Sequence, residues 1–215
     1  MITVLCVGTA TEVGKTWVGA QVLGSLREAG VKVAARKPVQ SFDPHDSHPT
    51  DAEVLAGATG EHVHTVCAES RWLPLAMAPP IAAVHLERDL GLVSDLVQDM
   101  APLEDDCELV WFETVGGVRS PMADDGDSAD LARWVQPDHI VLVADAGLGT
   151  INAVRLSVGA LADFPVLVAL NRYVDDEPLH ARNREHLATV EHLDVVTSPR
   201  ELADRLRSSS PGGRS

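Results

Sequence analysis

Gly8-Thr9-Ala10-Thr11-Glu12-Val13-Gly14-Lys15-Thr16 is the stretch that decides how this chain is read. The residues before Gly8, ITVLCV at 2–7, form a β-rich apolar run that reads as a buried strand. Beyond it, Trp17, Val18, Val22, Leu23 and Leu26 recur at helical spacing until Gly30 stops them. A glycine-bounded loop ending in Gly-Lys-Thr, between a strand and a helix, is the setting of a phosphate-binding loop. Backbone N–H groups of Glu12, Val13 and Gly14, with the helix N-terminus, would cradle phosphate oxygens. Lys15 would reach the β- and γ-phosphates, and the Thr16 hydroxyl would hold Mg²⁺. Five residues, not four, separate Gly8 from Gly14, so the loop is a variant.

Lysine usage argues against a chance Gly-Lys-Thr. Of 17 basic residues only Lys15, Lys32 and Lys37 are lysine, and the other 14 are arginine. Two of the three lysines stand where phosphate chemistry wants a compact ammonium.

Outward from the loop, apolar strands alternate with helices. Residues 31–36 read as a second strand, stopped by Lys37-Pro38, and a polar loop runs from Ser41 to Thr50. A helix is predicted from near Asp51, and one or two more across 79–100 with Pro79-Pro80 at the entry. LVWF at 109–112, HIVLVA at 139–144 and PVLVAL at 165–170 are further continuous apolar strands. Helices are predicted at 152–162 and near 180–190. The pattern predicts an α/β domain, a mostly parallel sheet with helices on both faces, over 1–207, and a flexible tail over 208–215. Ligands of such sheets sit at the strands' C-terminal ends, where every candidate residue falls.

Composition narrows the partners. With 32 acidic residues the net charge is -15, which argues against nucleic acid and anionic membranes and for small molecules or other proteins. No apolar run approaches the ~18 residues of a membrane span, and no basic residue precedes Lys15 as in a signal peptide, so a soluble, cytoplasmic protein is expected. Cys6, Cys67 and Cys107 are widely spaced and form neither a zinc motif nor a disulfide framework. His45 and His48, flanked by Asp43 and Asp51, read as a solvated loop, since their spacing meets no ligand pattern.

Five motifs in order resemble the dethiobiotin synthetase family: GTATEVGKT, then KPV at 37–39, Thr50-Asp51-Ala52, Glu113 with Gly116-Gly117, and Gly147-Leu-Gly-Thr-Ile-Asn152. The resemblance runs from residue 1 to about 172. It implies an ATP- and Mg²⁺-dependent ligase that closes a cyclic urea on 7,8-diaminopelargonic acid with CO₂, through a carbamate and its phosphoric anhydride. By resemblance Lys37, Lys15 and Thr11 serve catalysis, and Thr16, Asp51 and Glu113 hold the metal. Val39 and Asn171 join Glu12 to Thr16 as nucleotide contacts, Asn171 reading adenine. Thr11, Lys37 and Ser41 meet the diamine or its carbamate. Gly149, Thr150, Ile151 and Asn152 hold the substrate carboxylate from a partner subunit, which implies a homodimer.

Each residue also has a plainer reading. Lys37 could be a surface lysine lying along apolar neighbours, and Asp51 a helix-start carboxylate favoured by the dipole. Gly147 and Gly149 could simply turn a strand into a helix capped by Thr150 or Asn152. Asp145 competes with Asp51 and Glu113 as a metal carboxylate. Arg172 after Asn171 breaks the guanine-reading NKxD pattern and favours ATP over GTP. The family's EGAGG is here Glu113-Thr114-Val115-Gly116-Gly117, and Phe42 follows Ser41 where a glycine is usual. Two other readings stand beside the first: a related ATP-dependent ligase or accessory ATPase for another small acid, and a nucleotide-binding dimer of the ParA/MinD kind. The latter typically carries an early lysine in its loop, and Thr9 to Val13 has none.

Overall fold

The computed structural model of the protein describes residues 1–208. Along the chain run β1 (Ile2–Gly8), α1 (Lys15–Glu28), β2 (Val33–Arg36), β3 (Gln40–Ser41), α2 (Asp51–Thr59) and α3 (Val63–Val66). A 3₁₀ turn, Glu69–Arg71, leads to β4 (Trp72–Leu73), α4 (Pro79–His85), α5 (Val93–Gln98), β5 (Leu109–Glu113) and α6 (Ser128–Val135). The remainder is β6 (His139–Asp145), α7 (Thr150–Ala160), β7 (Val166–Asn171), α8 (Pro178–Thr189), β8 (Asp194–Val196) and α9 (Pro199–Ser208).

The main sheet has the order β2-β5-β1-β6-β7-β8, and every pairing in it is parallel. Strand side chains alternate between faces, and here both parities are apolar, so each face needs a helical layer. Val4, Cys6, Leu109, Trp111, Val141, Val143, Leu167 and Ala169 pack in one core with Val22 and Leu26 of α1, Leu55 of α2 and Leu202 of α9. Leu5, Val7, Val110, Ile140, Leu142 and Val168 pack in the other with Leu96 of α5, Leu131 of α6, Val154 of α7 and Leu187 of α8. Between β5 and β6 the chain crosses over β1, so the crevice at the C-terminal end of β1 is the sheet's switch point.

The expected strands and helices are present, with differences. Trp17 keeps its helical register but stands 52% exposed, because its neighbours across the gap are the loops after β7 and β8, not the sheet. Residues 79–100 hold two short helices. The pattern did not predict α6, β8 and α9. β8 is three residues long, and α6 announces itself chiefly through its Asp127–Asp130 capping box. Ser208, assigned to the tail, ends α9; the rest of the expected tail lies outside the described residues. No helix among the described residues is long and apolar enough to cross a membrane.

Candidate active site

The loop after β1 is braced from the sheet. Thr9 N–H donates to Val143 O at 3.0 Å, and the Asn171 amide donates to Val13 O at 2.9 Å. Gly14 caps α1 at φ 91°, and a Cβ there would lie 2.1 Å from Asn171 Nδ2, so only glycine fits. Lys15 follows, buried, its Nζ donating to Gly116 O at 3.0 Å. Burial lowers the Lys15 ammonium below its ordinary value, and the nearby charge of Lys37 adds to this.

Parity brings the other groups to the same side. Glu113 continues the face of Leu109 and Trp111, Lys37 that of Ala35, and both faces look toward α1 and α2. There Thr16 Oγ1 lies 2.8 Å from Asp51 Oδ1 and 2.7 Å from Glu113 Oε1, its one proton serving one carboxylate at a time. Lys37 Nζ donates to Asp51 Oδ2 at 2.6 Å, Glu113 Oε1 at 2.8 Å and Thr114 O at 3.1 Å. Lys37 is 1% exposed, which rules out the surface-lysine reading.

Electrostatics follows from this packing. Burial alone would pull the Lys37 ammonium down; the charges of Asp51 and Glu113 outweigh it and hold it above the ordinary lysine value. Burial raises the Glu113 carboxyl, against the pull of Lys37. Asp51, also desolvated, is nevertheless held low by Lys37 and by the Thr16 hydroxyl.

The donor set fits a hard divalent cation. Glu113 Oε2 is buried without a hydrogen-bond partner among the described residues, and Asp51 and the Thr16 hydroxyl stand beside it. Two carboxylates and a hydroxyl suit Mg²⁺ when phosphate and water complete its shell. Asp145, the competing carboxylate, is engaged elsewhere: it accepts from Gly147 N–H and from Arg172, and these hydrogen bonds hold it low.

Two cavities flank the loop. A trough of about 1560 Å³ is lined by Thr11, Glu12, Lys15, Thr16, Lys37, Ser41 and Asp51, among others. A smaller cavity of about 510 Å³ opens between Gly14, Trp17, Asn171, Tyr173 and Pro199. The expected contacts Val39 and Gly149 to Asn152 do not join them. The Val39 side chain is fully buried in the core, and at the start of α7 Gly149 and Asn152 are exposed while Thr150 is buried and Ile151 packs partly on the core. His48 contacts Asp46 at 2.6 Å, both on the trough's rim.

Some groups escaped the sequence reading. The carbonyls of Thr114 and Gly116 carry no side-chain signal, yet they receive Lys37 and Lys15. Trp17 and Tyr173 line the smaller cavity, and Arg172 borders both. An aromatic one residue past Gly-Lys-Thr was the signal available for Trp17.

Comparison with known proteins adds to this geometry. A family model described as an AAA domain matches residues 2–200. The chain is 36% identical over 196 residues to an ATP-dependent dethiobiotin synthetase of Haloferax mediterranei, covering 90% of this chain and 82% of that one. It is 34% identical over 210 residues to the ATP-dependent dethiobiotin synthetase of Rhodococcus jostii, covering 95% and 89%. Among solved structures, a DUF1611 family protein of Anabaena variabilis superimposes with a TM-score of 0.53 at 17% identity, over 97% of this chain and 57% of the other. That last likeness concerns the fold alone.

Proposed function

The chain belongs to the ATP-dependent dethiobiotin synthetase family, and from that premise we propose that it closes a cyclic urea on 7,8-diaminopelargonic acid, with CO₂, ATP and Mg²⁺, to give dethiobiotin. The class of activity, an ATP-dependent ligase of biotin biosynthesis, is that of its family. The observation that carries the finer reading is the convergence of Lys15, Thr16, Lys37, Asp51 and Glu113 beside one trough.

The reaction first makes a carbamate on one amine from CO₂. A carbamate oxygen then attacks the γ-phosphorus and releases ADP, and the second amine attacks the carbamoyl carbon and expels phosphate. The site must therefore meet a triphosphate, a carbamate and a transferring phosphoryl group with fixed positive charge. The N–H groups of Glu12 to Gly14 would take phosphate oxygens and Lys15 the β- and γ-phosphates. Lys37 would hold the carbamate against the phosphoryl group, with Thr11 and Ser41 orienting the amines. Thr16, Asp51 and Glu113 would hold Mg²⁺, which neutralises phosphate charge when bound. The base would enter the smaller cavity, where Asn171 Oδ1 has no hydrogen bond among the described residues and the Trp17 ring lines the wall.

Gly149, Thr150, Ile151 and Asn152 would receive the substrate carboxylate from a second copy of the chain. They sit at a helix N-terminus beside Leu148, which is 93% exposed, and Thr150 Oγ1 is buried without a partner among the described residues. A homodimer acting in the cytoplasm is part of this reading. A second reading, a ligase for another small acid, is favoured by the trough wall, where Phe42 packs edge-on to Trp72 at 5.6 Å and which Val115 also lines.

Phosphate release measured with ATP, Mg²⁺, bicarbonate and diaminopelargonic acid, each omitted in turn, tests the proposal. Dependence on all four is expected. Release that ignores the diamine but responds to another amino acid would favour the second reading.

A further inference from the structure

Two consecutive residues at the end of β7 grip two consecutive carbonyls of the phosphate loop. Asn171 donates to Val13 O at 2.9 Å, and Arg172 Nη2 donates to Glu12 O at 2.8 Å. The other arm of the Arg172 fork donates to Asp145 Oδ2 at 2.8 Å, and Asp145 Oδ1 accepts from Gly147 N–H at 2.8 Å. Arg172 thus ties the loop to the end of β6 as well as to β7. Both Glu12 and Arg172 lie in the left-handed region, at φ 61° and 56°, a conformation that non-glycine residues hold only when their surroundings impose it.

The consequence follows from peptide geometry. In a trans peptide the C=O and the next N–H point to opposite sides. A Glu12 carbonyl held toward Arg172 therefore turns the Val13 N–H away from it, and a Val13 carbonyl held by Asn171 does the same for the Gly14 N–H. Among the described residues the Gly14 N–H donates to no group, and the Val13 N–H does no more than close the turn over Thr11 and Glu12. Anchored carbonyls with amides turned away from them are what an anion-binding loop requires before its anion arrives.

We propose that Arg172, oriented by Asp145, is a positioning residue that holds Glu12 to Gly14 in the phosphate-receiving conformation in the nucleotide-free protein. It rests on the reading of this loop as the ATP site. The planar fork is essential to it, because its two terminal nitrogens each take one of the two acceptors.

Backbone order parameters of Glu12 to Lys15 from nitrogen-15 relaxation in nucleotide-free protein, with ATP affinity by calorimetry and steady-state kinetics, test this in Arg172→Ala, Arg172→Lys, Asp145→Asn and the double variant Arg172→Ala/Asp145→Asn. Arg172→Ala should lower the loop's order parameters and weaken ATP about tenfold, the scale of one charge-assisted hydrogen bond, with kcat at saturating ATP within about twofold. Asp145→Asn should move both in the same direction, and the double variant should equal Arg172→Ala, since Asp145 acts through the arginine. Loop order parameters unchanged in Arg172→Ala overturn the proposal. So does full restoration by Arg172→Lys, which would make charge rather than the fork the cause. Wild-type protein that binds no ATP would overturn the family-based site instead, and the relaxation measurement would still decide the role of Arg172.

Discussion

Lys37 Nζ lies 2.8 Å from Glu113 Oε1, with the lysine side chain 1% and the glutamate side chain 0% exposed. Burying two charges is costly even when they meet, and well-packed apolar residues of similar volume often stabilise as much. The pair is therefore better explained by the chemistry next to it than by stability. It leaves one carboxylate oxygen without a partner among the described residues and an ammonium bordering the trough.

If Lys37 pairs with the carbamate and the moving phosphoryl group, its charge counts most in the transition state. Lys37→Gln should lower kcat on the order of 10²-fold or more, the scale for removing one preorganised charge, while ATP affinity stays near wild type. Lys37→Arg should restore little, because the planar fork is a different shape. Near-normal turnover of Lys37→Gln would remove Lys37 from the chemistry.

Glu113→Gln keeps the shape and leaves Lys37 short of one counter-charge in the interior. Unfolding in urea should show a loss of about 3 kcal/mol or more, the scale for breaking a buried pair. Asp51→Asn should cost less, because the Asp51 side chain is 46% exposed and solvent screens it. Equal losses in the two variants would contradict this ranking.

Lys15→Ala removes the ammonium assigned to the β- and γ-phosphates. A charge-assisted hydrogen bond is worth about 1.5–3 kcal/mol, so ATP affinity should fall roughly 10- to 100-fold. Calorimetry showing unchanged affinity would contradict the loop's assignment.

Leu148, just before α7, and Leu156, within it, are 93% and 69% exposed. Sedimentation should report a two-chain mass at micromolar concentration, and Leu148→Asp should move it toward one chain while ATP binding persists. A single-chain mass for the wild type would remove the shared carboxylate site.

Much of this site was readable along the chain, because local pattern encodes local geometry. Gly8 to Thr16 between an apolar strand and a helix marks the loop, and apolar residues at both parities of residues 109–112 and 139–144 require helices on both faces. Glu113 and Asn171 read as strand ends from the apolar runs before them, and β5 and β7 end on them. Trp17 shows the limit: its periodicity was helical, but periodicity does not say whether a sheet or a cleft stands opposite.

Each residue's face and its position along an element follow from the order of residues alone, since those depend on a repeat of 2 or 3.6 residues. Which elements stand side by side is settled only in three dimensions. The order β2-β5-β1 puts Lys37 against Glu113, 76 residues apart, and the order β1-β6-β7 brings Arg172 to Glu12, 160 residues apart. No local repeat specifies such neighbours. They follow from how six apolar strands share two helical layers, and that packing belongs to the whole chain at once.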